Sequence, residues 1–343
     1  MNLRTDRLGE TVAPQPGRRL YVGIDTSNYT TSAALFDASA GEFCSNVKRL
    51  LGVAEGERGL RQSDAVFAHV KNLPSVTAEA FEALLPDEVC AVGVSATPRD
   101  IEGSYMPCFQ VGLAAAFALA AGLKRPLHTF SHQAGHVMAA VWSSGAPELL
   151  EGDFLAFHVS GGTTELLYVK RGSNRPFDIE KLGGTLDLNA GQAIDRSGVR
   201  LGLAFPCGAK LEELALSNSE PIDRSGVSVK GLECNLSGLE NKVDKLIADG
   251  FSHEYIAAYV LDFIGRTLVK LTENALASVG KLPVLYAGGV MSNSIIKKML
   301  AQKLNGKCRV HFAEPKFSSD NAAGTALLCA IEEEGAGAWL KKQ

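Results

Sequence analysis

What most constrains this 343-residue chain is a pattern that occurs twice. "LYVGID" is an apolar, β-branched run that reads as a strand, "TSNYTT" is a polar turn, and "SAALFD" reads as the returning strand. In the second half "FLAFHVS", "GGTT" and "ELLYVKR" repeat the same order as a hairpin. Each half later carries a compact apolar run of the buried parallel type, "EVCAVGVSA" and then "LPVLYAGG", followed by a helix. The likeness is one of pattern rather than identity. It predicts a duplicated α/β unit with ligands in the cleft between halves.

This plan resembles the actin, Hsp70 and sugar-kinase (ASKHA) fold, which implies two lobes with a ligand cleft between them. The expected division is a flexible tail over 1–18, an N-terminal lobe over 19–145 and a C-terminal lobe over 146–319, with a C-terminal helix over 320–343 packing back on the first lobe. Further helices are expected from Gln110 to Leu123, around His132 and His136, and over Asp187–Leu201, Ala209–Leu216, Leu239–Ala248 and Glu254–Ser278. "MSNSIIKKMLAQKL" and "SDNAAGTALLCAIEEE" complete the set, with Ser319 or Asp320 placed to cap the last.

Composition narrows the class. Hydrophobic residues at 46% and charged residues at 21% fit a folded soluble protein, and no apolar run is long enough to cross a bilayer. The first residues lack the apolar core of a secretory signal. Seven scattered cysteines without a C-x-x-C point to reduced thiols in a cytoplasm and away from a zinc ribbon. A net charge of −4 gives no global sign of a nucleic-acid binder. The local exception runs from Lys297 to Lys316 and includes Lys298, Lys303, Lys307 and Arg309 against Glu314. A solvated helix face explains it first, an RNA-facing strip second.

The turns "DTSNYTT" and "SGGTT" offer backbone N–H groups and hydroxyls with little bulk, and Gly161 and Gly162 would permit positive φ beside an anion. "AGGVMSN" adds a glycine turn between a buried strand and a helix, where ligands commonly bind. None matches a P-loop. His132 and His136 are four apart and share a helix face, which suits two metal–nitrogen bonds. Gln133 stands where a zincin carries its glutamate base, so the protease reading fails. Asp320 in "SSDNAAG" serves equally as a third ligand or as a helix cap. Asp187 and Asp195 would project from one helix face toward ribose hydroxyls.

In order along the chain, "GIDTS", "HQAGH", "VSGGTTEL", "GGTLDLNAGQAIDRSGVRLGL", "FPCGAKLEELA", "LSGLE", "AGGVMSN" and "SSDNAAGTA" resemble the tRNA threonylcarbamoyladenosine-modification transferases, the TsaD family once misnamed O-sialoglycoprotein endopeptidase. The resemblance covers Tyr21 to Ile331. It implies a divalent metal, iron or zinc, on His132, His136 and Asp320. It implies a nucleotide or threonylcarbamoyl-adenylate held by His158, Val159, Ser160, Gly161 and Gly162 together with Asp195, Gly208 and Asn293. It also implies transfer of the threonylcarbamoyl group to the N6 amine of the tRNA adenosine next to the anticodon. The partners implied are tRNA and accessory proteins of the same pathway, with a homodimer or heterodimer as the assembly and no membrane.

The chain departs from the family pattern at named positions. Ala134 replaces the glutamate of H-x-E-G-H, Thr163 the histidine of S-G-G-H-T, and Tyr29 and Thr30 an acidic pair. "TPRDIEGSYMPCF" replaces a G-P-G loop, and Cys207 stands where glycine is usual. A second reading is therefore a paralogue that keeps metal and nucleotide binding but has another reaction, or serves as a regulatory or scaffold partner. A third is an ATP-hydrolysing or phosphotransfer enzyme on the same fold, in which Asp25 would place Mg²⁺ or act as base.

Overall fold

The computed structural model describes residues 17–27, 29–52, 60–82, 84–172, 176–317 and 322–335. The chain divides into two compact units, one of residues 1–150, 172–178 and 320–343, the other of 151–171 and 179–319.

The first unit opens with an antiparallel meander, β1 (Leu20–Ser27), β2 (Thr30–Asp37) and β3 (Glu42–Leu50). Helix α1 (Gln62–Ala80) leads to β4 (Val89–Thr97), α2 (Phe109–Leu123), β5 (Leu127–Ser131) and α3 (His132–Ser143). The sheet order is β3-β2-β1-β4-β5, with β4 parallel to both β1 and β5. Every residue of β1 and β2 is buried, as apolar runs covered on both faces require, whereas the edge strand β3 carries Glu42, Lys48 and Arg49 and is largely open.

The second unit repeats that order. It contains β6 (Phe154–Val159), β7 (Thr164–Arg171), β8 (Phe177–Thr185), α4 (Ala190–Arg200), α5 (Gly208–Leu216), β9 (Ser228–Lys230), β10 (Glu233–Asn235), α6 (Gly238–Ala248), α7 (His253–Val279), β11 (Val284–Ala287), α8 (Ser294–Leu304) and β12 (Val310–Phe312). Its sheet runs β12-β11-β6-β7-β8-β10-β9. Read from β8 to β12, this is the first sheet over again, with β11 parallel to β6 as β4 is to β1. The chain is a duplicated α/β fold of the actin and sugar-kinase type. The 27-residue α7 forms the hub of this unit's core, packing against α4, α5, α6 and α8.

The last helix, α9 (Ala323–Glu334), belongs to the first unit and lies across β1 and β4. Two glycines make that approach possible. Gly23 and Gly93 are register partners on the two strands. A Cβ on Gly23 would stand 2.4 Å from Ala322 O, and one on Gly93 2.9 Å from Thr325 O. The other side of α9 meets α3, where a Cβ on Gly324 would stand 1.8 Å from Gly135 O. The glycine of "HQAGH" is thus a helix-crossing residue.

Several elements differ from the sequence expectation. Strands β3, β8, β9 and β10 and helix α1 carry no clear periodic signal. The helix expected from Asp187 begins at Ala190, behind a box formed by Asn189 and Gln192. Helix α9 is preceded by Ala322, which gives no side-chain cap; the expected caps Ser319 and Asp320 lie outside the described residues. No described helix is long and apolar enough to cross a membrane, and the seven cysteines are free.

Candidate functional site

In the first unit the parallel strands β1, β4 and β5 end on the same side, and α3 starts directly after β5. Ser131 caps α3, accepting from Ala134 N at 3.1 Å and donating to Asp100 Oδ2 at 2.7 Å. This fixes the first turn, which carries His132. One turn later His136 brings its Nε2 to 2.9 Å from His132 Nε2, with the rings edge to face.

The partner of His132 on its other nitrogen was not expected. His132 Nδ1 donates to Asp25 Oδ2 at 2.8 Å, and Asp25 is 1% exposed. The second oxygen of Asp25 accepts from Ser27 N at 2.9 Å. A carboxylate can only accept, so Nδ1 carries the proton and Nε2 its lone pair. This is the usual second-layer arrangement behind a metal-binding histidine. The Nε2 atoms of both histidines meet at 2.9 Å on one helix face, so the pair would serve as two nitrogen ligands to one metal. Among the described residues no set of three His, Cys, Asp or Glu side chains forms a complete metal site. Asp25 faces Nδ1 and not the converging Nε2 atoms, and Asp320 lies outside the described residues.

The turn after β1 behaves differently from its reading as a hydroxyl-lined anion cradle. Thr26 Oγ1 donates to Cys108 O at 2.9 Å and accepts from Gly112 N at 3.0 Å, tying β1 to the start of α2. Thr31 Oγ1 lies 2.8 Å from Nδ1 of the buried His69. Both hydroxyls serve the interior, and Asn28 lies outside the described residues. Tyr29 is 41% exposed. Burial, and then the charge of Asp25, push the Cys108 thiol up to about 11, so it is protonated at neutral pH and no nucleophile.

In the second unit Ser160, Gly161 and Gly162 follow the C-terminal end of β6, and the turn that leads to Asn293 follows β11. Ser160 N donates to Thr163 O at 2.7 Å, and Ser160 Oγ accepts from Thr163 N at 3.1 Å, which closes the hairpin turn. Gly161 and Gly162 do not adopt positive φ, contrary to expectation. What Gly161 meets is α4: Gly191 N donates to Ser160 O at 3.1 Å, and a Cβ on Gly191 would stand 2.7 Å from the Gly161 backbone. Gly288, at φ +103°, turns the chain after β11 against Val159, where a Cβ would lie 2.2 Å from Val159 O. Val159 itself is a core side chain, and His158 is half-buried beside Ala287. A Cβ on Gly161, Gly162, Gly208 or Gly289 would meet nothing within 4 Å. Those positions border open space.

The remaining residues are placed by hydrogen bonds. Asp195 Oδ1 accepts from Cys207 N at 2.8 Å, which sets Gly208 at the start of α5. Asn293 caps α8 by accepting from Ile296 N at 3.0 Å. Glu212 of α5, which the sequence did not single out, accepts from Ser294 N at 2.7 Å and joins α5 to the start of α8. Asp187 is not on a helix face with Asp195. Its carboxylate accepts from Leu188 N, Leu236 N and both the N and Oγ of Ser237. Burial raises the Asp187 carboxyl, but these bonds outweigh it and hold it below its ordinary range. It is a brace for the start of α6. The Cys207 thiol is raised by burial and by Asp195, which removes it too as a nucleophile at neutral pH.

Comparison with known proteins places the chain in a family. A protein from Thermosipho africanus named tRNA N6-adenosine threonylcarbamoyltransferase is 31% identical over 320 residues, covering 90% of this chain and 92% of its own. Among solved structures, HypF of T. kodakarensis superposes with a TM-score of 0.61 at 14% identity, over 93% of this chain and 48% of that one. A ROK family glucokinase from Streptomyces griseus does so at 0.52 and 12%, over 92% of this chain and 100% of that one. These two speak for the fold. The family model of TsaD, tRNA N6-adenosine threonylcarbamoyltransferase, matches residues 57–327, and the chain belongs to that family.

Proposed function

We propose that the protein transfers a threonylcarbamoyl group from threonylcarbamoyl-adenylate to the N6 amine of an adenosine in tRNA. The observation that carries the reading is the pair of Nε2 atoms of His132 and His136, converging at 2.9 Å with the His132 tautomer set by buried Asp25. In this reading His132, His136 and Asp320 hold one divalent metal, iron or zinc. Asp320 is supported by its place in the chain, four residues before the Gly324 that abuts Gly135. When bound, the metal supplies Lewis acidity toward the carbamoyl or phosphate oxygens.

The second unit takes the nucleotide. Its glycine turns leave room for phosphate oxygens against backbone N–H groups, and the starts of α4 and α5 favour negative charge. Asp195 keeps Oδ2 without a bond among the described residues, which suits a ribose hydroxyl. In the transfer the adenosine N6 attacks the carbamoyl carbon and the carbon–oxygen bond to phosphate breaks. AMP leaves with the electron pair, and N6 gives up one proton.

The test is transfer in vitro. The protein, a divalent metal, synthetic threonylcarbamoyl-adenylate and unmodified tRNA are combined, and the modified nucleoside is read by mass spectrometry. Product that is lost in His132→Ala is the expected result. No product, together with ATP consumption in the absence of tRNA, replaces this reading with an ATP-hydrolysing enzyme on the same fold.

A further inference from the structure

The basic segment singled out in the sequence has no part in either candidate site. In the second unit it meets α7. A groove of about 350 Å³ is lined by Arg266, Lys270 and Glu273 of α7, by Lys303 of α8, and by an apolar floor of Val227, Val229 and Val269. Arg266, Lys270 and Glu273 follow at i, i+4 and i+7, so they share one helix face.

The cations of this groove outnumber its carboxylates. Glu273, its only carboxylate, is already paired with Lys307 at 2.5 Å. Lys270 and Lys303 are exposed and form no ion pair among the described residues. Arg266 shares Asp262 with Arg224, at 2.6 and 3.4 Å. Its Nη1 donates to Ser225 O, and its buried Nη2 has no acceptor among the described residues. On the far side of Ser225, Lys242 donates only to neutral oxygens, Ser225 Oγ and Gly226 O. Burial, and then the charge of Arg266, lower the Lys242 ammonium from its ordinary value. On a chain with net charge −4, this corner gathers four cations, Lys242, Arg266, Lys270 and Lys303, against Asp262 and Glu273. Such a concentration attracts phosphate.

We propose that the groove between α7, α8 and β9 seats a backbone phosphodiester of the tRNA, with Lys270 and Lys303 as its contacts. This rests on the reading of tRNA as the substrate. The site positions RNA by its charge and carries no sequence information, as phosphate contacts do.

The experiment measures tRNA binding by the full chain between about 50 and 200 mM salt, for the wild type and for Lys270→Ala/Lys303→Ala. Each phosphate contact contributes about 0.7–0.9 to the slope of log affinity against log salt. The double variant gives up the contact to one phosphate and is therefore expected to lose about 0.7–0.9 of slope, and roughly 5- to 8-fold of affinity at 0.1 M salt by the same relation. Lys270→Arg/Lys303→Arg should restore both. Thermal unfolding is expected to be unchanged, because both side chains are exposed. With tRNA saturating, transfer should proceed at the wild-type rate while the KM for tRNA rises. If the wild type binds tRNA and the alanine variant binds with the same slope and affinity, the inference is overturned alone. If the wild type does not bind tRNA, the functional reading fails and takes the inference with it.

Discussion

Replacing Asp25 with asparagine isolates the second layer of the candidate metal site. The two oxygens of Asp25 accept from different donors, Ser27 N at 2.9 Å and His132 Nδ1 at 2.8 Å, and the carboxylate is 1% exposed. An amide of the same shape has one accepting oxygen. If it serves His132, its NH₂ confronts the Ser27 N–H. If it serves Ser27, its NH₂ must be accepted by His132 Nδ1, which moves the imidazole proton to Nε2 and removes the lone pair that faces His136. Either outcome forfeits one charge-assisted hydrogen bond, about 1.5–3 kcal/mol. Loss of a second-layer partner costs about 10- to 100-fold in metal affinity, or about 1.4–2.8 kcal/mol, so the two routes agree. The assay is competition for zinc against a chromophoric chelator at neutral pH, with unfolding followed in parallel. An affinity within twofold of wild type would refute the argument that Asp25 sets the tautomer.

Other perturbations follow from the same geometry. His132→Ala should abolish stoichiometric metal, measured by elemental analysis, with unchanged far-ultraviolet circular dichroism. Metal retained in that variant and in Asp320→Ala rejects the ligand assignment. Gly324→Ala places a Cβ 1.8 Å from Gly135 O, so it should lower the unfolding free energy in urea by at least about 2 kcal/mol and weaken metal binding as α3 and α9 part. A variant with wild-type stability contradicts the close crossing. Burial holds His69 below its ordinary pKa, outweighing the opposite pull of the Ser27 backbone and Asp25. Below a pH of about 6.5 the unfolded chain therefore takes up a proton that the folded chain refuses, and stability falls by up to about 1.4 kcal/mol per pH unit. His69→Gln should remove that portion of the slope between about pH 6.5 and 5.5; an unaltered slope assigns it to other groups.

The sequence by itself determined the parts that depend on local periodicity. Both strand–turn–strand openings were legible, because apolar runs between small polar turns have few alternatives. So was the duplication, and so was the shared face of His132 and His136, which four-residue spacing on a helix guarantees. The ordered motifs were specific enough to point to the family. Only tertiary structure could decide the partners of these groups. Asp25 and His132 are 107 positions apart, and their bond exists because β1 and β5 flank β4 in one sheet. Asp187 read as a helix-face carboxylate, yet Leu236 and Ser237 claim it from 49 and 50 positions away. Nothing in the spacing of Gly324 shows that its missing Cβ lets two helices cross at backbone contact, against Gly135 O. Strands β3 and β8 stayed hidden because mixed, partly exposed strands lack a clean alternation. The basic segment near Lys303 becomes one wall of a groove only when α7 brings Lys270 and Arg266 beside it. Periodicity is written in neighbouring residues, whereas hydrogen-bond partners and local charge are set by which distant segments pack together.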